Sequence, residues 1–92
     1  MADLLDADSV RNAVAVLDGW EGGPDAIVRT VEFADFKEAM GFVNRVAEVA
    51  EEANHHPDIT IQWNKVTLRQ STHVAGGLTE YDFRLARRLN AL

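Results

Sequence analysis

The chain holds three histidines, and two of them are adjacent: His55 and His56, in the stretch EEANHHPDITIQW, with His73 further on in STHVAGG. Imidazole titrates near neutral pH, so it can give or take a proton where other side chains are fixed in one form. Two or three such groups around one pocket suit a reaction that protonates a leaving group at one atom and removes a proton at another. Glu51 lies four residues before His55. On a continuing helix those two side chains share a face, and the carboxylate would orient the ring. Two other readings fit the same residues. Three histidines can hold zinc, although the adjacent pair lacks the HxxxH spacing of a helical chelate. Paired histidines also occur on protein surfaces with no chemical task.

These side chains need elements to position them. Ser9 or Asp8 can cap a first helix, with Val10, Ala13, Val14 and Leu17 on its apolar side and Asp18-Gly19 at its end. Trp20 opens a short strand, Gly22-Gly23-Pro24-Asp25 reads as a turn, and residues 26–33 read as a strand. Ile27, Val31 and Phe33 share one face of it, while Arg29, like Arg69 later, reads as a solvated sheet residue. Asp35 caps a second helix, with Glu38 at capping-box spacing. Phe36, Met40, Val43, Ala47 and Ala50 form its predicted apolar stripe, and Pro57 places its end near His55 or His56.

Two further strands follow. Ile59, Ile61 and Trp63 alternate onto one face, Asn64-Lys65 reads as a tight turn, and Val66 and Leu68 face the core. With regular alternation His73 ends the second of these strands and points away from the core. The hairpin then brings it back beside the histidine pair, so that all three histidines converge on one mouth. Ala75-Gly76-Gly77 is a loop. Thr79 caps a last helix, with Asp82 at its third position and Leu78 and Phe83 at the spacing of a hydrophobic staple. Trp20 and Trp63 read as core or cleft wall. The expected fold class is α+β: a four-stranded antiparallel sheet with three helices packed on one face, in the order α-β-β-α-β-β-α.

Composition narrows the function classes. A chain of 92 residues has room for one domain, 1–92, with a core of limited size, so self-association would help it. Fifteen acidic residues against nine basic ones give a net charge of −6, the wrong sign for a nucleic-acid-binding face. The absence of cysteine excludes disulfides, thiolate nucleophiles and thiolate metal sites. MADLLDADS carries neither a basic n-region nor an apolar run, so no signal peptide, no membrane span and a cytoplasmic location are expected.

One resemblance draws these residues together. Glu51, three residues, His55-His56-Pro57, five residues, Trp63, nine residues, His73, eight residues and Asp82 follow one another as in the pterin-4a-carbinolamine dehydratase family. That family's motif is Glu or Asp, x3, His, His or Asn, Pro, x5, Tyr or Trp, x9, His or Trp, x8 or more, Asp. The flanking text FKEAMGFVNRVAEVAEEA, NKV and AGGLTEYDFRLA is similar as well, over about residues 17 to 90. The segment Asp58-Ile59 departs from many relatives, which carry an aromatic there.

The resemblance implies dehydration of a 4a-hydroxytetrahydropterin to the quinonoid dihydropterin, in tetrahydrobiopterin recycling, with no metal and no cofactor. It implies His55, His56, His73 and Glu51 as catalytic residues. His55 and His73 would act on the hydroxyl, and His56 would also bind and polarise the pterin. It implies Trp63 and Asp82 as further substrate-binding residues. The partners implied are a reduced pterin and copies of the chain itself, as a homodimer or a tetramer built from dimers. The alternative is a non-catalytic pterin-binding protein, or a dimerisation or transcriptional cofactor module of the same fold.

Overall fold

A computed structural model describes residues 3–92; the first two residues of the expected 1–92 domain lie outside that range. The helices are α1 (Ala7–Ala15), α2 (Phe36–Ala53) and α3 (Glu80–Asn90). The strands are β1 (Glu21–Gly22), β2 (Ile27–Glu32), β3 (Asp58–Gln62) and β4 (Lys65–Gln70), and a single 3₁₀ turn covers His73–Ala75. The sheet order is β1-β2-β4-β3, antiparallel throughout. The element order and the four-stranded antiparallel sheet match the expectation from the sequence.

Register explains which face is dry. Val31, Val66 and Ile61 form one cross-strand row, and Arg29, Leu68 and Ile59 form the next. Alternation puts Thr30, Thr67 and Thr60 on the other face, where the Thr30 and Thr67 hydroxyls meet at 3.0 Å. Ile27, Val66 and Leu68 pack against Ala39, Phe42 and Val46 of α2 and Phe83, Ala86 and Leu89 of α3, all buried. Arg29 lies on this covered face rather than in solvent. Its Nη1 donates to Asn90 Oδ1 at 2.7 Å, at the C-terminal end of α3, where a cation also meets the negative pole of the helix. Trp20 Nε1 donates to the same oxygen at 2.9 Å, and Asn90 Nδ2 donates to the Asp18 carbonyl at 3.0 Å. Trp20 is a core residue, as expected, and is 4% exposed. Arg69 stays exposed, 3.4 Å from Asp58.

Several boundaries differ from the sequence reading. Asp6 caps α1, not Ser9 or Asp8; its Oδ1 accepts the Ser9 backbone N–H at 2.8 Å. That bond holds the Asp6 carboxyl below the usual carboxylate range. The helix stops at Ala15, before Asp18-Gly19. In α2 the capping is as expected, with Asp35 Oδ1 accepting from Glu38 N at 2.8 Å. The buried stripe, however, is Ala39, Phe42, Val46 and Ala50. Apolar residues occur on two adjoining stripes of this helix, and the sheet covers the one beginning at Ala39. Phe36 is left 50% exposed.

The β3–β4 turn is Trp63-Asn64, one residue earlier than the expected Asn64-Lys65, since Gln62 already pairs with Lys65. Trp63 stands at φ 51 and is 67% exposed. Asn64 is buried and ties the turn to the end of β2. Its Nδ2 donates to the Phe33 carbonyl at 2.8 Å, and its own carbonyl accepts the Phe33 N–H at 2.8 Å. Removing the amide leaves the Phe33 carbonyl without that donor. Asn64→Ala is therefore expected to lose about 1–3 kcal/mol in urea unfolding, with the folded spectrum retained.

Candidate active site

Pro57 is buried, but α2 closes before it, at Ala53, rather than near His55 or His56 as expected. Asn54 takes the left-handed conformation, φ 51 and ψ 40, a helix-ending position that asparagine tolerates. The His55 N–H then bonds back to the Ala50 carbonyl at 3.1 Å. This reversal changes the expected pairing of Glu51 with His55. His55 has left the helical path and does not meet Glu51. His56 does, with Nε2 at 2.5 Å from Glu51 Oε2. His55 turns inward, and its Nε2 lies 2.6 Å from Asp82 Oδ1.

The two pairs differ in setting. The His55 side chain is 15% exposed and Asp82 is fully buried, whereas the His56 and Glu51 side chains are 56% and 77% exposed. Asp82 sits in the first turn of α3 and serves several elements at once. Its Oδ2 accepts the Thr79 N–H at 2.9 Å and the Thr72 hydroxyl at 2.7 Å. Thr72 and Thr79 meet through their hydroxyls at 2.8 Å. The buried Gln70 amide donates to the Asp82 carbonyl at 3.2 Å. The expected cap of α3 by Thr79, with Asp82 at the third position, is present as a capping box.

His73 does not end a strand. β4 stops at Gln70, and Thr72 closes the following loop by accepting from Ala75 N and Gly76 N, each at 3.0 Å. His73 is the first residue of the 3₁₀ turn so formed, and it is exposed. The convergence is nevertheless present. His55, His56 and Pro57 form one wall of an open cleft of about 420 Å³, and Ser71, Thr72, His73 and Val74 form the other.

Two predicted contacts fall elsewhere. Trp63 lies at the far end of β3 from His55 and His56, outside this cleft. Asp82 is wholly enclosed, with its carboxylate oxygens met by His55, Thr72 and Thr79. Thr72, which sequence reasoning missed, carries no signal of its own. Only the threonine pair flanking the loop before Asp82 hinted at it. A second hollow of about 480 Å³, between α1 and the Gly22–Pro24 turn, is lined by Val10, Val14 and Arg11 and lacks acid–base groups suited to neutral pH. Among the described residues, no three His, Asp or Glu side chains gather around a common metal position.

The family model for pterin 4 alpha carbinolamine dehydratase matches residues 3–92. The chain belongs to that family. A candidate pterin-4-alpha-carbinolamine dehydratase of Thermomicrobium roseum is 56% identical over 92 residues, covering 100% of this chain and 98% of the relative. A similarly described protein of Koribacter versatilis is 46% identical over the same span, with 98% of the relative covered. The crystal structure of a transcriptional coactivator/pterin dehydratase from Brucella melitensis superposes with a TM-score of 0.90 at 37% identity, covering 97% of each chain. A pterin dehydratase-like protein identified as a RuBisCO assembly factor in the alpha-carboxysome shares the fold, with a TM-score of 0.63 at 22% identity.

The contrast between the two acid–histidine pairs is measurable. Glu51→Ala is expected to shift unfolding free energy by less than about 1 kcal/mol, as for exposed ion pairs. Asp82→Ala strands the Thr79, Thr72 and His55 donors in a dry site and is expected to cost about 3–5 kcal/mol. Urea unfolding of both variants beside the unsubstituted chain tests the difference.

Proposed function

We propose that this chain, as one domain over residues 1–92, is a hydro-lyase that dehydrates 4a-hydroxytetrahydropterin to quinonoid dihydropterin in the cytoplasm, as part of tetrahydrobiopterin recycling. The observation that carries the reading is the gathering of His55, His56 and His73 around one cleft, two of them backed by carboxylates. The cleft volume suits a bicyclic ligand. Family membership supports the substrate class.

The chemistry balances with histidines alone. One imidazole takes the proton from the ring nitrogen beside C4a. That N–H electron pair becomes the second bond of C4a=N as the C4a–O bond breaks. A second, protonated imidazole gives its proton to the departing hydroxyl, which leaves as water. One base is thereby protonated and one acid deprotonated, and exchange with solvent resets both. His55 and His73 are the proposed acid–base pair. His56, held by Glu51, is proposed to bind and polarise the pterin.

Self-association is part of this reading, as a homodimer or a dimer of dimers. Two features support it. β3 is an edge strand with Ile59 exposed, and α2 carries a second apolar stripe on which Phe36 and Ala47 are exposed and Met40 and Val43 are partly buried. The same stripe supports a second reading, a partner-binding module without catalysis.

Stopped-flow absorbance on freshly made 4a-hydroxytetrahydropterin separates the two. Acceleration by the unsubstituted chain is expected, with His55→Ala and His73→Ala each losing about 10²–10⁴-fold while remaining folded. A folded chain that gave no rate above the spontaneous reaction would sink the dehydratase reading. Sedimentation equilibrium of the same sample is expected to give at least twice the chain mass.

A further inference from the structure

Heavy-atom positions around Asp82 fix where the hydrogens lie. The Thr79 backbone N–H can only donate, and Oδ2 receives it. The Thr72 hydroxyl has one hydrogen, which also goes to Oδ2. The Thr72–Thr79 contact must then run from the Thr79 hydroxyl to Thr72 Oγ1, which leaves Thr79 Oγ1 free to accept the Tyr81 N–H at 3.3 Å. Each hydroxyl is used once, and the chain of bonds has a single direction.

Oδ1 alone remains, facing His55 Nε2 at 2.6 Å. Two donors on Oδ2 already favour the ionised carboxylate, so the hydrogen between Oδ1 and Nε2 is carried by the imidazole. The neutral His55 ring therefore carries its hydrogen on Nε2, and its lone pair is on Nδ1. Among the described residues Nδ1 has no protein partner, and it is not sealed off from solvent. The ring that bears it lines the cleft.

We propose that Asp82, itself held by Thr72 and Thr79, is a positioning residue that locks His55 into the Nε2–H tautomer and so makes His55 Nδ1 the proton acceptor of the cleft. Its chemical meaning rests on the dehydratase reading above: His55 takes the ring-nitrogen proton, and protonation of the leaving hydroxyl falls to another histidine. The other two have no comparable lock. The partner of His56 is an exposed glutamate, and the His73 side chain makes no hydrogen bond among the described residues.

The test is the tautomer itself, read by two-bond ¹H–¹⁵N correlation on histidine-labelled full-length chain at a pH where the rings are neutral. Unsubstituted His55 is expected to show a protonated Nε2 and a bare Nδ1, with the Nε2–H resonance far downfield and slow to exchange. An unrestrained imidazole already leans to Nε2–H, so Asp82→Asn is the decisive variant. Asparagine has one oxygen, and the unchanging Thr79 N–H claims it. The amide N–H₂ then faces Nε2 and drives the hydrogen to Nδ1. The expected result is an inverted His55 pattern with unchanged His56 and His73 patterns, and at least about a 10²-fold loss of kcat.

A folded Asp82→Asn chain that kept the original His55 tautomer would overturn the lock. If that variant did not fold, the unsubstituted chain still decides: a hydrogen on Nδ1, or a freely exchanging Nε2–H, would overturn it. The spectra need no substrate. Inversion in a chain that does not dehydrate the pterin would leave the lock standing and remove the dehydratase reading. Dehydration without inversion would do the reverse.

Discussion

A single buried carboxylate joins the fold to the cleft. Asp82 has no contact with water, and its two oxygens are met by three donors: the start of α3, the loop after β4 and the junction between α2 and β3. An ionised group in such a place is tolerated only when its hydrogen bonds are complete. That condition fixes the surroundings. Thr79 must begin the helix there, Thr72 must close the loop there, and His55 must turn inward. The loop that Thr72 closes is also the one that carries His73. Two of the three cleft histidines therefore take their positions from the same carboxylate, by different routes.

Much of this arrangement is legible in the order of residues. Asp35 and Thr79 cap their helices as their spacing to Glu38 and Asp82 suggests, and the alternation of Val66 and Leu68 gives the core face of β4. The gathering of His55, His56 and His73 follows from the β3–β4 hairpin. Which histidine meets which acid does not. A four-residue spacing pairs Glu51 with His55 only while the helix lasts, and the left-handed Asn54 ends it first. The choice rests on the backbone angles of one residue, which side-chain periodicity does not report.

The phase of α2 was hidden for another reason. Apolar residues fill more than half of its circumference, so two stripes satisfy the helical period, and the sheet alone decides between Ala39–Phe42–Val46 and Phe36–Met40–Val43. Arg29 misled because an arginine in a strand usually faces water. Here a neighbouring glycine leaves room for its stem, and Asn90 receives its head. Trp63 misled because an aromatic at the end of an apolar alternation reads as a wall, while the turn carries it outward. For α2 and Arg29 the deciding partner lies far away in the sequence, and for Trp63 it is the backbone of the turn itself.

Asn90 bears on how the chain is made. It closes bonds to Trp20, Arg29 and Asp18 across 70, 61 and 72 residues, and it is translated after all three. Long loops must be closed before such contacts give anything back. A nascent chain on the ribosome can form α2 and the β3–β4 hairpin early, because their contacts are local. The corner of Trp20 and Arg29 has no acceptor until the last helix has emerged. Residues 18 to 29 are translated well before Asn90 and are completed only with it.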